Sequence, residues 1–592
     1  MEILNRDSID KIYKWKVEDI MREEDILSFF EDIKAGFAEI ESYKGKLNPD
    51  NCIECFLVQS KISYKLEKLY VFVHLKSDED KSITKYTELL DKVTMLSVEF
   101  STVCSFISPT VANFNKADLI RMRDSDKYSY FSMYIDSLIR NKKRLLSPKE
   151  EAVLANVNSF SDEFDNIFCM FDNVDVNLGE IEIDGKSQKL THGLYSVMLQ
   201  NPDQEVRKKA YNSMYNGYIS MINTLAANYA GNVKQDYFWT RMRKYKSCLE
   251  KALEGKVVPV SVYNNLISVV KKYTPQLHEY VALRKKALKL DEMYMYDMYV
   301  PIVKDMNKLT DYEDAYKLVT EALKPLGEEY VKTLLEAKED GWIDVFETKN
   351  KRSGAYSFGV YGTHPYVLLN HRGTTHDIFT IAHEMGHAMH SYYSNIAQCY
   401  EKAGYVIFVA EIASTVNEVL LIKHLLKTAE GEERKYLLSY YIDMIRTTLF
   451  RQTMFAEFEK FAHETIESGE ALSAENMTEY YTNLNKEYYG ESVITDKNIG
   501  YEWARIPHFY RDFYVYQYAT GITCAINIAN MILNDSSAVE KYKKFLSAGG
   551  SMYPMDILKL VDLDLTKKEP FEVAMKEFSA VLKELKKTVR GK

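Results

Sequence analysis

Only 12 prolines fall in the 592 residues, and long stretches pass with neither proline nor glycine, the residues that most often end helices. Over residues 8–175, apolar side chains recur three and four apart, as at Ile26, Phe30, Ile33, Phe37 and Ile40. That spacing predicts amphipathic helices. Pro109 and residues 105–115 interrupt it. At Ser147-Pro148-Lys149-Glu150 a new helix begins: Ser147 can cap, Pro148 fits the first turn, and Glu150 completes a capping box. Around residues 180–189 the period changes. Ile181, Ile183 and the turn Asp184-Gly185-Lys186 predict a short hairpin and the best place for a lobe boundary. Helices resume over 204–234 and run past Tyr330. Residues 353–370 form the second change: two β-rich runs flank Gly362, Thr363, His364 and Pro365, which predicts a small sheet. From Ile407 onward the pattern is helical again, with Ala548-Gly549-Gly550-Ser551 ending one helix and another starting near Asp556. The fold class is mainly α.

Length alone suggests about four domains, but large helical enzymes often merge them into two lobes. Apolar residues at 46% and charged residues at 27% are ordinary for a soluble globular chain. Most of the 45 tyrosines suit helix surfaces and core edges; some can line a peptide groove. A net charge of −10 without a basic stripe argues against a nucleic-acid surface. The N-terminus Met1-Glu2-Ile3-Leu4-Asn5-Arg6-Asp7 lacks the basic start and apolar run of a signal peptide. No apolar stretch is read as approaching the roughly 20 residues that span a bilayer, so no membrane partner is expected. Seven scattered cysteines fit reduced thiols in the cytoplasm. Cys52 and Cys55, a lone C-x-x-C in a helical run, read as two ordinary positions one turn apart. Nothing sets the oligomeric state.

The chemistry concentrates at His383-Glu384-Met385-Gly386-His387. Four residues apart on a helix, His383 and His387 project from one face and can reach one metal ion. Glu384 is rotated about 100° from His383, so its carboxylate can approach a polarised water without occupying a coordination position. This is the division of labour in H-E-x-x-H zinc peptidases. Gly386 allows a neighbouring backbone to pack closely. Given this chain's His and Glu content, one such motif arises by chance with a probability of about two per cent. Thr374 can cap the helix and Asp377 complements its dipole. Glu411, 24 residues after His387, suits a return helix and gives the His2Glu set of a catalytic zinc site. His390 is the rival third ligand and the less favoured one. Glu418, two turns past Glu411, either orients an imidazole or is solvated.

The segments Thr380-Ile381-Ala382-His383-Glu384-Met385-Gly386-His387-Ala388-Met389-His390-Ser391 and Phe408-Val409-Ala410-Glu411-Ile412-Ala413-Ser414-Thr415-Val416-Asn417-Glu418 closely resemble the oligoendopeptidase F branch of the thimet-oligopeptidase-like zinc metallopeptidases. Leu190-Thr191-His192-Gly193, Arg207-Lys208-Lys209-Ala210-Tyr211, Met295-Tyr296-Asp297-Met298-Tyr299-Val300-Pro301, Ile506-Pro507-His508-Phe509-Tyr510 and Ala548-Gly549-Gly550-Ser551 extend the likeness over roughly residues 100–585. The resemblance implies a mainly α, two-lobed zincin around a deep central channel, with a small β-sheet beside the active-site helix. It implies an N-terminal helical region over 1–185, best matched at about 110–180, and a catalytic domain over 186–592. It also implies one Zn2+ on His383, His387 and Glu411, Glu384 as catalytic base, and internal cleavage of oligopeptides. His508 and Tyr516 are the implied transition-state donors, with Tyr510 and Tyr514 as alternatives. His364, in the turn before the motif helix, is a further substrate contact to test. A dipeptidyl-type exopeptidase and a catalytically silent peptide binder are the competing readings.

Overall fold

The computed structural model describes residues 4–183, 185–303 and 309–589. Helices dominate it and sheets are small, as the spacing of apolar residues predicts. Contacts divide the chain into two compact units interleaved along the sequence. The first comprises Met1–Arg144, Asn307–Leu421 and Ile528–Asp562; the second comprises Leu145–Met306, Ile422–Asn527 and Leu563–Lys592. None of these divisions falls near residue 185. The hairpin of β1 (Glu180–Ile183) and β2 (Lys186–Lys189) forms as expected, with Ile183 opposite Lys186, but it lies inside the second unit. Asp184 of its turn lies outside the described residues, as do Met1, Glu2 and Ile3.

In the first unit, residues 6–25 form a string of short 3-10 turns where the sequence reading begins a helix. Trp15, Val17, Ile20 and Met21 are the buried residues there. Three helices follow, Ile26–Glu41, Cys52–Glu79 and Thr84–Cys104, sharing a core that includes Ile33, Ile40, Phe56, Leu69, Phe72 and Leu96. Cys52 and Cys55 are buried in it, with Cys52 Sγ 3.3 Å from the Tyr128 hydroxyl. One sequence-based expectation needs correction here. The 29-residue stretch Thr84–Ala112 is long and apolar enough to cross a membrane by length and composition, with 28% of its most apolar window buried. Its charges, Lys85, Glu88, Asp91, Lys92 and Glu99, and its many Ser and Thr residues break the visible apolar run. The helix ends at Cys104 and a second, Ile107–Ala112, begins after a short break.

The β-rich region becomes a three-stranded sheet of order β3-β5-β4. β4 (Tyr356–Phe358) and β5 (Tyr366–His371) pair antiparallel around the expected turn, where Gly362 takes a φ of +79° that favours glycine. β3 (Ile343–Phe346) adds on parallel to β5; it was not anticipated. β5 is central, and β3 and β4 are the outer strands. The motif helix, Thr375–Ala397, starts four residues after β5 ends.

In the second unit two of the family-like segments lock together. The Arg207 guanidinium, buried, donates from Nε and one Nη to Asp297 Oδ1 at 3.0 and 2.7 Å. Thr191 caps the helix His192–Met198, and Ser147 and Glu150 form the expected capping box.

Candidate active site

Thr374 and Asp377 close a capping box at the start of the motif helix: Asp377 N donates to Thr374 Oγ1 at 3.2 Å, and Thr374 N to Asp377 Oδ2 at 2.9 Å. This start fixes the helical phase of the residues that follow. The next helix, Ile407–Thr428, returns against it at Gly386. A methyl group on Gly386 would stand 2.6 Å from Ser414 Cα and 2.7 Å from the Ala413 carbonyl oxygen, so glycine is what permits this approach. Asn417 ties the pair by donating from Nδ2 to the Ala382 carbonyl at 3.0 Å, and Tyr330 donates to Asn417 Oδ1 at 3.2 Å.

The close approach brings three donor atoms together. His383 Nε2 lies 3.2 Å from His387 Nε2, and Glu411 Oε2 lies 3.6 and 3.7 Å from the same two nitrogens. A tetrahedral metal with bonds of 2.0–2.2 Å needs donors about 3.4 Å apart, so the set fits. The His383 imidazole has a second partner that turns its Nε2 toward the group: His383 Nδ1 is 2.5 Å from Glu418 Oε1. Glu418, open in the sequence reading between orienting an imidazole and facing water, thus contacts His383.

The electrostatics pull the two rings apart. Burial disfavours charge on His383, but the Glu418 carboxylate outweighs it and lifts the ring to about 9. Burial, and then the charge on His383, push His387 down to about 3. Glu384 is only 8% exposed; burial raises its carboxyl to about 7, with Glu411 and Glu418 adding to the effect. A carboxyl poised there accepts a proton near neutrality more readily than one near 4. His390, the rival ligand, stands apart. It is 1% exposed, stacked 3.7 Å from the Tyr405 ring, and held neutral by burial.

The remaining anticipated residues separate into different settings. His364 is stacked parallel to Trp342 at 5.4 Å, with Nε2 3.4 Å from Asp19; it is not in the His383 group. In the second unit, Tyr510 stacks on Phe168 at 4.7 Å and accepts a hydrogen bond from Asn228. Tyr516 is completely buried against Tyr263, so the structure does not present the tyrosine preferred from the resemblance. Tyr514 does lie at the surface of this segment. It stacks on His508 at 5.8 Å and meets Tyr518 edge-on at 5.6 Å. Tyr518 Oη is 3.3 Å from His508 Nε2. Tyr518 was not singled out from sequence; its spacing of four from Tyr514 was the available sign. The direction of the segment is set by Phe513, whose φ of 49° is left-handed and whose N–H donates to Glu459 Oε1 at 2.5 Å.

Residues 197–577 match peptidase family M3, and residues 112–177 match oligopeptidase F. The chain belongs to peptidase family M3. Oligopeptidase PepF of Bacillus subtilis is 40% identical over 96% of this chain and 86% of its own length. A crystal structure of a peptidase from Chlamydophila abortus matches with TM-score 0.92 at 34% identity, covering 99% of this chain and all of that one. Oligoendopeptidase-F from Enterococcus faecium matches with TM-score 0.75 at 31% identity, over 96% and 100%. The M3 chain is thus a metallopeptidase with a mainly helical fold, and its His-His-Glu group is the one set of three clustered metal-ligand side chains among the described residues.

Proposed function

We propose that this M3 peptidase is a zinc-dependent endopeptidase that cuts internal bonds of short oligopeptides. The observation that carries the reading is the His383, His387 and Glu411 donor triangle, with edges of 3.2, 3.6 and 3.7 Å, beside a buried carboxyl that is not one of its members. Zinc, when bound there, polarises the scissile carbonyl and makes water more acidic. His383 must give up its Nε2 proton to ligate, while Glu418 keeps the Nδ1 side oriented. Glu384 takes a proton from the attacking water and delivers it to the leaving amine.

β4 is an outer strand of the sheet, and an outer strand can pair with an extended peptide by strand addition, which recognises backbone rather than side chains. The resemblance supports the segment 508–518 as the source of oxyanion donors. Exposure within that segment favours Tyr514, Tyr518 and His508 over Tyr516. Relatives named oligopeptidase and oligoendopeptidase support short peptides as substrates. Seven free cysteines support a reducing compartment, the cytoplasm.

The deciding experiment is mass-spectrometric mapping of a peptide blocked at both ends, incubated with enzyme, with enzyme plus chelator, and with chelated enzyme resupplied with zinc. Internal cleavage that is lost on chelation and restored by zinc is expected. Trimming of unblocked ends alone would replace the endopeptidase reading with an exopeptidase one, and no cleavage with no bound metal would overturn both.

A further inference from the structure

The motif helix and the helix Ile407–Thr428 meet in a series of rungs. Ala382 and His383 meet Asn417 and Glu418. Gly386 meets Ser414, and His387 meets Glu411. Beyond these, Ser391 meets Tyr405, hydroxyl to hydroxyl at 2.8 Å. As the number rises on the motif helix it falls on its partner, so the two run antiparallel with the donor triangle along the ladder. All of these residues belong to the first unit.

Residues 418, 414, 411 and 407 follow one another at helical spacing and so share one face. Glu418, Ser414 and Glu411 are each set against the motif helix. The fourth, Ile407, is 41% exposed, and its neighbour Val406 is 43% exposed. Single exposed apolar residues are ordinary on a protein surface. Here two stand in succession, one turn from Glu411, and leaving both in water is unfavourable. They also stand on fixed backbone. Tyr405, just before them, stacks on His390 with ring planes 10° apart and centres 3.7 Å apart. Val409 N and Ala410 N both donate to the Val406 carbonyl, at 3.1 and 3.3 Å, so Val406 already takes part in the first turn of its helix.

Distance limits what can reach the pair. Four residues of helix rise about 6 Å. An extended peptide advances about 3.3 Å per residue and turns successive side chains to opposite faces. A peptide whose scissile carbonyl lies at the donor triangle therefore brings a side chain flanking that bond within reach of Ile407, while the next one points away.

We propose that Val406 and Ile407 form an apolar subsite for a substrate side chain next to the scissile bond, with the clamped Tyr405 as its wall. The ligand is an aliphatic or aromatic side chain such as that of Leu or Phe. A carboxylate in the same place would lie beside Glu411 and be repelled. The contact forms as the bond is presented for cleavage, so it acts on kcat/KM. The proposal rests on the peptidase reading above.

The test uses the zinc-loaded full-length enzyme and peptides blocked at both ends. Each has one cleavable bond, with Leu, Ala or Glu at one of the two residues flanking it, and mass spectrometry identifies the bond cut. At one of the two positions kcat/KM is expected to fall about tenfold from Leu to Ala, and further to Glu. The position that responds shows which side of the bond the pair serves. In Val406→Ser and Ile407→Ser the Leu-to-Ala ratio at that position is expected to fall toward one. Because the readout is a ratio within one preparation, a variant that is only less active or holds less metal gives the parent ratio. A ratio near one at both positions in the unmodified enzyme would overturn the proposal, as would a ratio unchanged in both variants. Neither result would touch the peptidase reading, which fails only if no peptide is cut.

Discussion

The His383 group and the Tyr514–Tyr518 segment are built in opposite ways. The first stands on two regular helices held together at a glycine, with His383 and His387 one turn apart on one helix and Glu411 on the other. The second turns through short 3-10 helices, a left-handed Phe513 and the first turn of the helix Tyr516–Asn534. Where the backbone is periodic, the direction of a side chain follows from its number. Where one residue has a positive φ, that relation breaks, and Tyr516, the tyrosine preferred from the resemblance, is buried.

This contrast can be broken, starting with the largest expected effect. Glu384→Gln is expected to lower kcat about 10³-fold with metal content unchanged, read by peptide cleavage and atomic absorption; full activity would remove Glu384 as the base. Tyr518→Phe is expected to lower kcat about 10²-fold, whereas Tyr516→Phe should stay within about threefold of the parent enzyme. The reverse order would mean that the segment works in a different arrangement. Gly386→Ala should destabilise by about 2 kcal/mol through overpacking, seen as a lower denaturation midpoint, because Ser414 and Ala413 meet the new methyl with backbone atoms. Glu418→Gln is expected to weaken metal binding about tenfold, measured by competition with a chelator.

A further prediction concerns Glu459, in the second region. Burial raises its carboxyl well above the ordinary range, with the charges of Asp512 and Asp236 adding to this and the Phe513 N–H opposing it. The folded state therefore keeps a proton that the unfolded state releases, and stability falls as pH rises above the unfolded carboxyl range. Glu459→Gln keeps an acceptor for Phe513 N–H and cannot titrate. Its stability relative to the parent should rise between pH 5 and pH 8; a constant difference would show that Glu459 is ionised in the fold.

Much of the first region is legible in the sequence because it is local. His383, Glu384, His387 and Glu411 lie within 29 residues, the Thr374 cap sets the phase, and Gly386 marks a close approach. The sheet is only half legible: β4 and β5 bracket a turn rich in Gly and Pro, whereas β3 pairs across a gap of some twenty residues that no local signal spans. The division into units is not legible at all. It depends on which distant helices touch; the change of period at Glu180 marks a hairpin inside one unit, in the gap between the two family matches at 112–177 and 197–577.

The back of the motif helix has a consequence for the order in which the protein is made. His390 packs against Phe545, Gln398 donates to the Ser547 carbonyl, and Gly550 N donates to the Lys402 carbonyl at 2.7 Å. All three donors of the His383 group are in the chain once Glu411 is added, yet the residues that brace the motif helix are added more than 130 positions later. A nascent chain therefore carries the three donors, on two helices, without that brace for several seconds at ordinary synthesis rates of about 5–20 residues per second. Metal capture with correct geometry then belongs to the last stage of synthesis, and a chain truncated before Phe545 keeps each ligand while losing the scaffold that spaces them.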